Sequence, residues 1–269
     1  MTQGRCALCL KEERLQDSHF ISKALYRITR RRGGPVVMTP ELFIAISDQL
    51  RDYLLCSTCE QLFSKNGEDY VVPLVKQDGN SFPLLEKLTG STPFGKGVNG
   101  SAVFSGPAIG IDTEKLAYYA LSMFWRASVH IWKTLNQQTT SISLGAYEEP
   151  VRRFLHGESG FPDGVVIQVT VCTDGISQDH VFAPTTWSND MYTGYEMNVF
   201  GICFTMVVGV QLGARDFDLC CVNSKNKVIF LADRESTAAP LYRELRANAK
   251  IGRNLKKPLS SVKGKRPPS

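Results

Sequence analysis

Two Cys-x-x-Cys pairs near the N-terminus constrain this chain more than any other feature of its sequence. They are Cys6/Cys9 and Cys56/Cys59, in a chain of 269 residues. A gap of two residues lets both thiolates of a pair reach one metal ion, and four cysteine sulfurs complete the tetrahedral shell of a structural zinc site. We therefore predict that the two pairs bind one Zn²⁺ ion.

The composition is that of a folded, water-soluble protein. Hydrophobic residues make up 43% of the chain and charged residues 21%, as in ordinary globular domains. Residues 1–17 are polar, so no signal peptide is expected. The most apolar stretch, 199–210, is shorter than the roughly 20 residues of a membrane helix. Four further cysteines lie among apolar residues: Cys172, Cys203, Cys220 and Cys221. We read them as free buried thiols and predict a cytoplasmic location.

Positive charge is unevenly distributed along the chain. Nine of the 31 Lys and Arg residues, but only one of the 26 acids, lie in residues 243–269. The remainder is therefore slightly acidic, and any affinity for nucleic acid must come from local patches.

One such patch lies between the cysteine pairs, in residues 18–32. Its apolar residues have helical spacing, and no acid occurs between Ser18 and Pro40. The pattern predicts a helix with one basic face. Its cations are Lys23, Arg27, Arg30, Arg31 and Arg32. Because His19, Lys23 and Arg27 follow at steps of four residues, we expect them to share this face. Arg30, Arg31 and Arg32 are predicted to bind phosphates.

The chain changes character after its first third. Residues 71–112 are rich in Gly, Pro, Ser and Asn, which predicts a loop-rich linker. Apolar periodicity predicts helices over 113–135 and 146–156, and β-rich runs follow at 165–172, 180–183, 199–210 and 227–232. Helices followed by strands indicate an α+β fold with an antiparallel sheet. We thus predict a zinc-finger domain (1–70), the linker (71–112), an α+β domain (113–249) that begins with a helical hairpin-like region, and a basic disordered tail (250–269).

The cysteine pairs and the residues between them resemble the treble-clef HNH nucleases. The signature of that family opens with Cys-x-x-Cys, has a histidine in an Asp-His-Ile-like segment and closes with Leu-Cys-x-x-Cys. The corresponding segments here are Cys6-Ala-Leu-Cys9, Asp17-Ser-His19-Phe-Ile21 and Leu55-Cys56-Ser-Thr-Cys59. The resemblance covers about a quarter of the chain. It implies a treble-clef fold for this part and a general-base role for His19.

The chain also departs from the family pattern. The asparagine of the family is missing from Arg51-Asp52-Tyr53-Leu54, and Glu60 stands where the family has its closing histidine. Without those groups a catalytic Mg²⁺ site of the usual kind is not expected, although the carboxylate of Glu60 could still serve a hard cation.

A route that needs no catalytic metal fits these residues better. RNA carries its own nucleophile, the 2′-hydroxyl. A neutral histidine can remove its proton while Lys or Arg stabilises the charge on the phosphate. We therefore predict a ribonuclease in which His19, Lys23, Arg27 and Glu60 form the catalytic group. Its size and domain order also resemble the ring-activated zinc-finger RNases of bacterial phage defence. That resemblance implies a homo-oligomer triggered by a phage protein.

Three alternatives remain open on the sequence. The first is an HNH-type, metal-dependent DNA endonuclease. The second is a non-catalytic regulator whose finger and basic tail only bind nucleic acid. The third is an interaction module in which zinc folds a docking surface. In the second and third alternatives His19 has a packing or capping role. In the endonuclease it takes part in catalysis.

Overall fold

The structure, a computed structural model, describes residues 2–32, 37–38, 43–44, 50–77, 81–97, 100–133, 139–188 and 190–234. Residues 30–32, 37–38 and 43–44 are described by their backbone alone. The strands are β1 (Thr2–Arg5), β2 (Glu12–His19), β3 (Val37–Met38), β4 (Phe43–Ile44), β5 (Arg51–Cys56), β6 (Gly95–Lys96), β7 (Ala102–Ser105), β8 (Trp132–Lys133), β9 (Thr139–Thr140), β10 (Val165–Cys172), β11 (Val181–Ser188), β12 (Thr193–Val199), β13 (Ile202–Val208) and β14 (Val228–Ala232).

The α-helices are α1 (Lys23–Arg32), α2 (Ser57–Phe63), α3 (Asp69–Val71), α4 (Pro83–Thr89), α5 (Thr113–Val129), α6 (Glu148–His156), α7 (Gly175–Asp179) and α8 (Ala214–Phe217). A π turn, Ser64–Glu68, joins α2 to α3. None of the helices in the described ranges has the length and apolar character needed to cross a bilayer.

A nine-stranded sheet dominates the fold. Its strand order is β4-β3-β11-β12-β13-β10-β14-β7-β6, and all neighbours are antiparallel except β10–β14 and β11–β3. Alternation along β10 gives the sheet one apolar face, because Ile167, Val169 and Val171 are fully buried while Gln168 and Thr170 are only partly so. The predicted α+β class with an antiparallel-rich sheet is therefore confirmed.

Helix α5 covers the apolar face of this sheet. Most of its residues are buried, and Tyr119 packs against Phe204 of β13 with ring centroids 5.7 Å apart. The carboxylate of Asp112 caps its first turn by accepting from the backbone N–H of Lys115 at 3.2 Å, as an N-cap does. We call the nine-stranded sheet with α5 and α6 the body.

The N-terminal module, defined as β1, β2, α1, β5 and α2, is built on a three-stranded sheet of order β1-β2-β5. It packs directly on the body, since buried residues of both parts belong to one continuous apolar core. Ring contacts cross the junction: Phe20 lies 5.3 Å from Trp132, and Phe63 lies 5.9 Å from Trp125, between ring centroids.

The helix predicted over 113–135 ends earlier than expected. Helix α5 stops at Val129, and Trp132 begins β8, which pairs with β9. The indole N–H of Trp132 donates to the carbonyl of Arg126 at 2.9 Å. That bond satisfies a carbonyl of the last helical turn, which has no partner within the helix.

The segment 71–112 is more than the predicted linker. It supplies α4 and the strands β6 and β7, and β7 pairs with β14 at one edge of the large sheet. Loop-forming residues are frequent there, but β7 has its second partner, β14, more than a hundred residues away, and β6 pairs locally with β7. The end of the predicted α+β domain and the predicted basic tail, within 235–269, lie outside the described residues.

Candidate metal centre

The four cysteines predicted to bind metal lie together. The sulfur atoms of Cys6, Cys9, Cys56 and Cys59 are all within 4.8 Å of one another, and those of Cys9 and Cys56 are 4.0 Å apart. This separation excludes a disulfide, whose S–S bond is about 2.05 Å. A zinc–sulfur distance of about 2.3 Å implies tetrahedral sulfur–sulfur edges of about 3.8 Å. The group could therefore hold a metal ion such as zinc. No other group of three or more His, Cys, Asp or Glu side chains in the described ranges meets the same distance criterion.

Backbone hydrogen bonds shape the first half of the site. Between β1 and β2 the chain makes a tight knuckle, in which Leu10 N–H donates to the Cys6 carbonyl and Cys6 N–H to the Lys11 carbonyl, both at 2.9 Å. Leu10 takes the left-handed conformation, with φ of 62°, which lets the chain reverse. The N–H of Ala7 donates to the Leu54 carbonyl at 3.1 Å, so the knuckle is docked on β5.

The second half of the site lies where β5 becomes α2. Cys56 ends the strand and precedes the first helical residue, while Cys59 lies in the first turn. Backbone N–H groups at a helix start have no intrahelical partner and favour negative charge nearby. The N–H of Cys56 points at the sulfur of Cys6, at 3.3 Å.

The pKa values of three of the four thiols are shifted from the ordinary value of a cysteine. The hydrogen bond from Cys59 lowers the pKa of Cys6 to about 4, and the same contact, with burial, raises the pKa of Cys59. Burial raises the pKa of Cys9. A bound divalent metal would deprotonate each coordinating thiol.

His19 does not lie on the predicted helix. Strand β2 continues through His19, and α1 begins only at Lys23. The expected shared helical face of His19, Lys23 and Arg27 is therefore wrong. The strand is extended because β2 pairs with β5 as far as His19 opposite Arg51, and because the hydroxyl of Ser18 accepts from the N–H of Leu55 at 3.2 Å.

The half-buried side chain of His19 lies on a sheet face that also carries acidic, basic and aromatic side chains. Cross-strand partners project to the same side of a sheet, as do alternate residues of one strand. Pairing of Asp17 with Tyr53 and of His19 with Arg51 thus groups all four side chains on one face. Asp17, Arg51 and Tyr53 are exposed, and Arg51 donates to the Asp17 carboxylate at 2.8 Å.

Helix α1 lies beside this face. The ring of Tyr26 on α1 is 6.0 Å from the His19 ring, between centroids, and Tyr26 itself is buried. Lys23 lies three residues before Tyr26 and is exposed, as is Arg27. Lys23 and Arg27 are thus exposed cations of the helix that carries Tyr26, but the three residues His19, Lys23 and Arg27 do not share a helical face. Arg30, Arg31 and Arg32 end α1, and their side chains lie outside the described residues.

Glu60 lies next to Cys59 on α2 and is half-buried. Its Oε1 atom is fully buried and has no hydrogen-bond partner within the described part of the chain. Glu68, which follows in the π turn, binds Arg126 of α5 at 2.8 Å. Burial by itself would lower the pKa of Arg126, but the carboxylates of Glu68 and Glu60 raise it.

Sequence patterns did not reveal several residues of this region. Arg51 and Tyr53 flank His19 only through strand pairing, and Arg126 reaches the region from the body. β5 shows no alternation that could have marked the first two, because three exposed residues are followed by three buried ones. Four-residue spacing places Ser122, Arg126 and His130 on one face of the predicted helix and suggests a buried polar partner for Arg126. It does not identify that partner, because the contacts of Arg126 lie 58 and 107 residues away. A separate cavity of about 470 Å³ is lined by other residues, among them Asn66, Lys115 and Tyr118.

No protein-family model, curated protein or solved structure matches this chain. Its function must therefore be argued from its own residues and geometry.

Proposed function

We propose that this chain is a zinc-finger nuclease that cleaves RNA, with His19 as general base. The observation that carries the proposal is the position of His19. It ends the strand between the two halves of the four-cysteine group, half-buried, on a face that also presents Arg51 and Tyr53. The knuckle in the turn between β1 and β2 and the second cysteine pair at the start of α2 support a treble clef.

The four sulfurs suit a structural Zn²⁺ ion. When bound, zinc would hold the knuckle against the start of α2 and leave no open ligand position for catalysis. Thiolates in such a site must stay reduced, so we place the protein in the cytoplasm.

The chemistry then falls to side chains. Neutral His19 removes the proton of a 2′-hydroxyl, and the oxygen attacks the adjacent phosphorus. The bond from phosphorus to the 5′-oxygen breaks, and that oxygen takes a proton from solvent. Arg51 and Lys23 stabilise the negative charge on the phosphate oxygens. The exposed ring of Tyr53 offers a surface on which a base can stack.

A metal-dependent DNA endonuclease is the second candidate, favoured by Glu60. Its Oε1 atom is buried and has no hydrogen-bond partner among the described residues. Glu60 stands at the sequence position of the histidine of HNH nucleases, and a hard cation such as Mg²⁺ prefers oxygen ligands. Glu68, the neighbouring carboxylate, is paired with Arg126, which leaves few oxygens for such a cation.

The body would assemble copies of the chain and receive a trigger, for which the resemblance to phage-defence RNases suggests a phage protein. An exposed apolar corner supports an assembly role. Trp187, Met191 and Val210 are 41%, 57% and 97% exposed. The backbone before Val210 lies against Met191 and Tyr192, so the corner is contiguous. Patches of this kind often mark protein contacts.

Cleavage of matched RNA and 2′-deoxy oligonucleotides by the purified chain tests the proposal. Zinc content is verified, and Mg²⁺ is added or omitted. We expect cleavage of RNA alone, without Mg²⁺, lost in His19→Ala and retained in His156→Ala. His156 is the matched control, because it is the last residue of α6 and pairs with Glu158.

Expression in bacteria covers the case of a silent purified enzyme, with growth arrest and RNA degradation as the readout. Cutting of DNA only with Mg²⁺ would establish the second candidate instead. Salt-sensitive binding with no cleavage in either setting would indicate a regulator. Equal activity of wild type and His19→Ala would remove His19 from the mechanism.

A further inference from the structure

One buried arginine of the body contacts the N-terminal module at the residue proposed as the base. Arg126 lies on α5 and is 2% exposed. Its Nη1 donates to the backbone carbonyl of His19 at 3.2 Å, and its Nη2 donates to the Glu68 carboxylate at 2.8 Å. Its guanidinium also lies 4.7 Å from the centroid of the Phe63 ring.

These contacts fix the backbone on which His19 is carried. The peptide unit between His19 and Phe20 is bonded at both ends: its carbonyl accepts from Arg126, and the N–H of Phe20 donates to the Leu50 carbonyl at 2.9 Å. A peptide unit is planar. Holding its oxygen and its nitrogen therefore fixes its orientation, and with it one of the two backbone torsions that aim the His19 side chain.

We propose that Arg126 is a positioning residue for His19, holding the general base in its reactive direction from the body of the protein. The inference rests on the proposed function. Glu68 completes the arrangement, because its carboxylate holds the other arm of the guanidinium. A lysine in place of Arg126 keeps the charge but lacks the rigid fork that serves two acceptors at a set angle.

A second buried arginine provides the matched control. Arg152 on α6 is 7% exposed and donates to a module carbonyl as well, that of Leu8, at 2.6 Å. It also pairs with Glu149 and Glu158. Arg152 thus crosses the same junction with a similar set of bonds but holds the knuckle rather than His19. A merely structural role for Arg126 predicts equal behaviour of the two lysine variants.

The experiment compares zinc-loaded, full-length wild type, Arg126→Lys, Glu68→Gln and Arg152→Lys. Nuclear magnetic resonance of the His19 imidazole, assigned by its loss in His19→Ala, reports the side chain without need of activity. We expect the His19 signals to shift in Arg126→Lys and, to a smaller extent, in Glu68→Gln, and to stay in place in Arg152→Lys. Glu68→Gln also serves if Arg126→Lys fails to fold.

Kinetics on an RNA substrate give the functional readout. We expect kcat to fall roughly 10- to 100-fold in Arg126→Lys with KM nearly unchanged, since misplacement by about an ångström costs rates of that order. Unmoved His19 signals in both Arg126→Lys and Glu68→Gln would overturn the proposal. So would equal losses of kcat in the Arg126 and Arg152 variants. If His19→Ala cleaves like wild type, the proposed function fails, while the His19 signals still decide whether Arg126 orients this residue.

Discussion

Arg152→Met tests whether the body stabilises the metal-binding knuckle. In the wild type, Arg152 donates a hydrogen bond to the backbone carbonyl of Leu8, a fully buried residue between Cys6 and Cys9. Methionine retains the apolar stem of the side chain but cannot donate this hydrogen bond. A buried carbonyl left unpaired costs about 1–3 kcal/mol. The side chains of Glu149 and Glu158 are 61% and 38% exposed, so solvent screens their ion pairs with Arg152 and these pairs add only a smaller stabilisation to that of the carbonyl. The free energy of unfolding should fall by about 1–3 kcal/mol.

This loss should appear both in Tm and in metal retention. For a chain of this size, Tm falls by roughly 2–4 °C for each kcal/mol of unfolding free energy that is lost. The expected fall in Tm is therefore roughly 2–12 °C. Since a factor of ten corresponds to about 1.4 kcal/mol, release of metal to a chromogenic chelator should accelerate roughly 5- to 150-fold. Arg153→Met is the control. The side chain of Arg153 is half-exposed, and its Nε lies 3.8 Å from the Glu158 carboxylate, which makes a weak ion pair. A lower Tm with unaltered metal release would refute the assignment of Arg152 to the knuckle.

Three further predictions follow from the same contacts. Cys59→Ala should abolish stoichiometric metal measured by mass spectrometry, whereas Cys203→Ala, which changes a buried cysteine of the sheet, should retain it. Arg152 lowers the pKa of Glu149 and Glu158 below the ordinary 4.5. The stabilisation from these pairs is therefore present above that value and is lost as pH falls through the lowered pKa values. The Tm difference between wild type and Arg152→Met should shrink on acidification in a calorimetric series, and a constant difference would count against this source. Gly67→Ala places a Cβ 3.0 Å from the Tyr119 backbone and should destabilise by about 1–3 kcal/mol in urea unfolding. Gly160→Ala, with open space around it, should be neutral.

The sequence predicted best where structure is set locally. The strand predicted over 165–172 is confirmed with its bounds, since its apolar residues are β-branched and turn residues flank it. The four cysteines were also found together, because two-residue spacing already encodes each half of the site. The helix predicted over 146–156 agrees with α6 within two residues at its start, and Gly157 in the left-handed conformation ends it.

Two of the predictions that differ from the structure share one physical cause, long-range pairing. Residues 18–22 have helical spacing, yet Ser18 and His19 stay extended because β5 offers backbone partners more than 30 residues away. Likewise β12 was missed, since Gly194 and Glu196 weaken its pattern and its definition comes from pairing on both sides. The surroundings of His19 depend on such contacts, which no local window contains.

The route of the chain between the two cysteine pairs has a consequence for synthesis. After α1 the chain leaves the N-terminal module, and β3 and β4 join the edge of the body sheet, where Met38 pairs with Phe182. The ribosome completes Cys59 about 120 residues before Phe182, a delay of roughly 6–25 s at usual elongation rates. The metal group can thus close on the nascent chain long before its intervening strands find their partner. Metal bound during translation would then hold the two cysteine pairs together first. The strands β3 and β4 between them would join the body sheet later, once β11 has been synthesised.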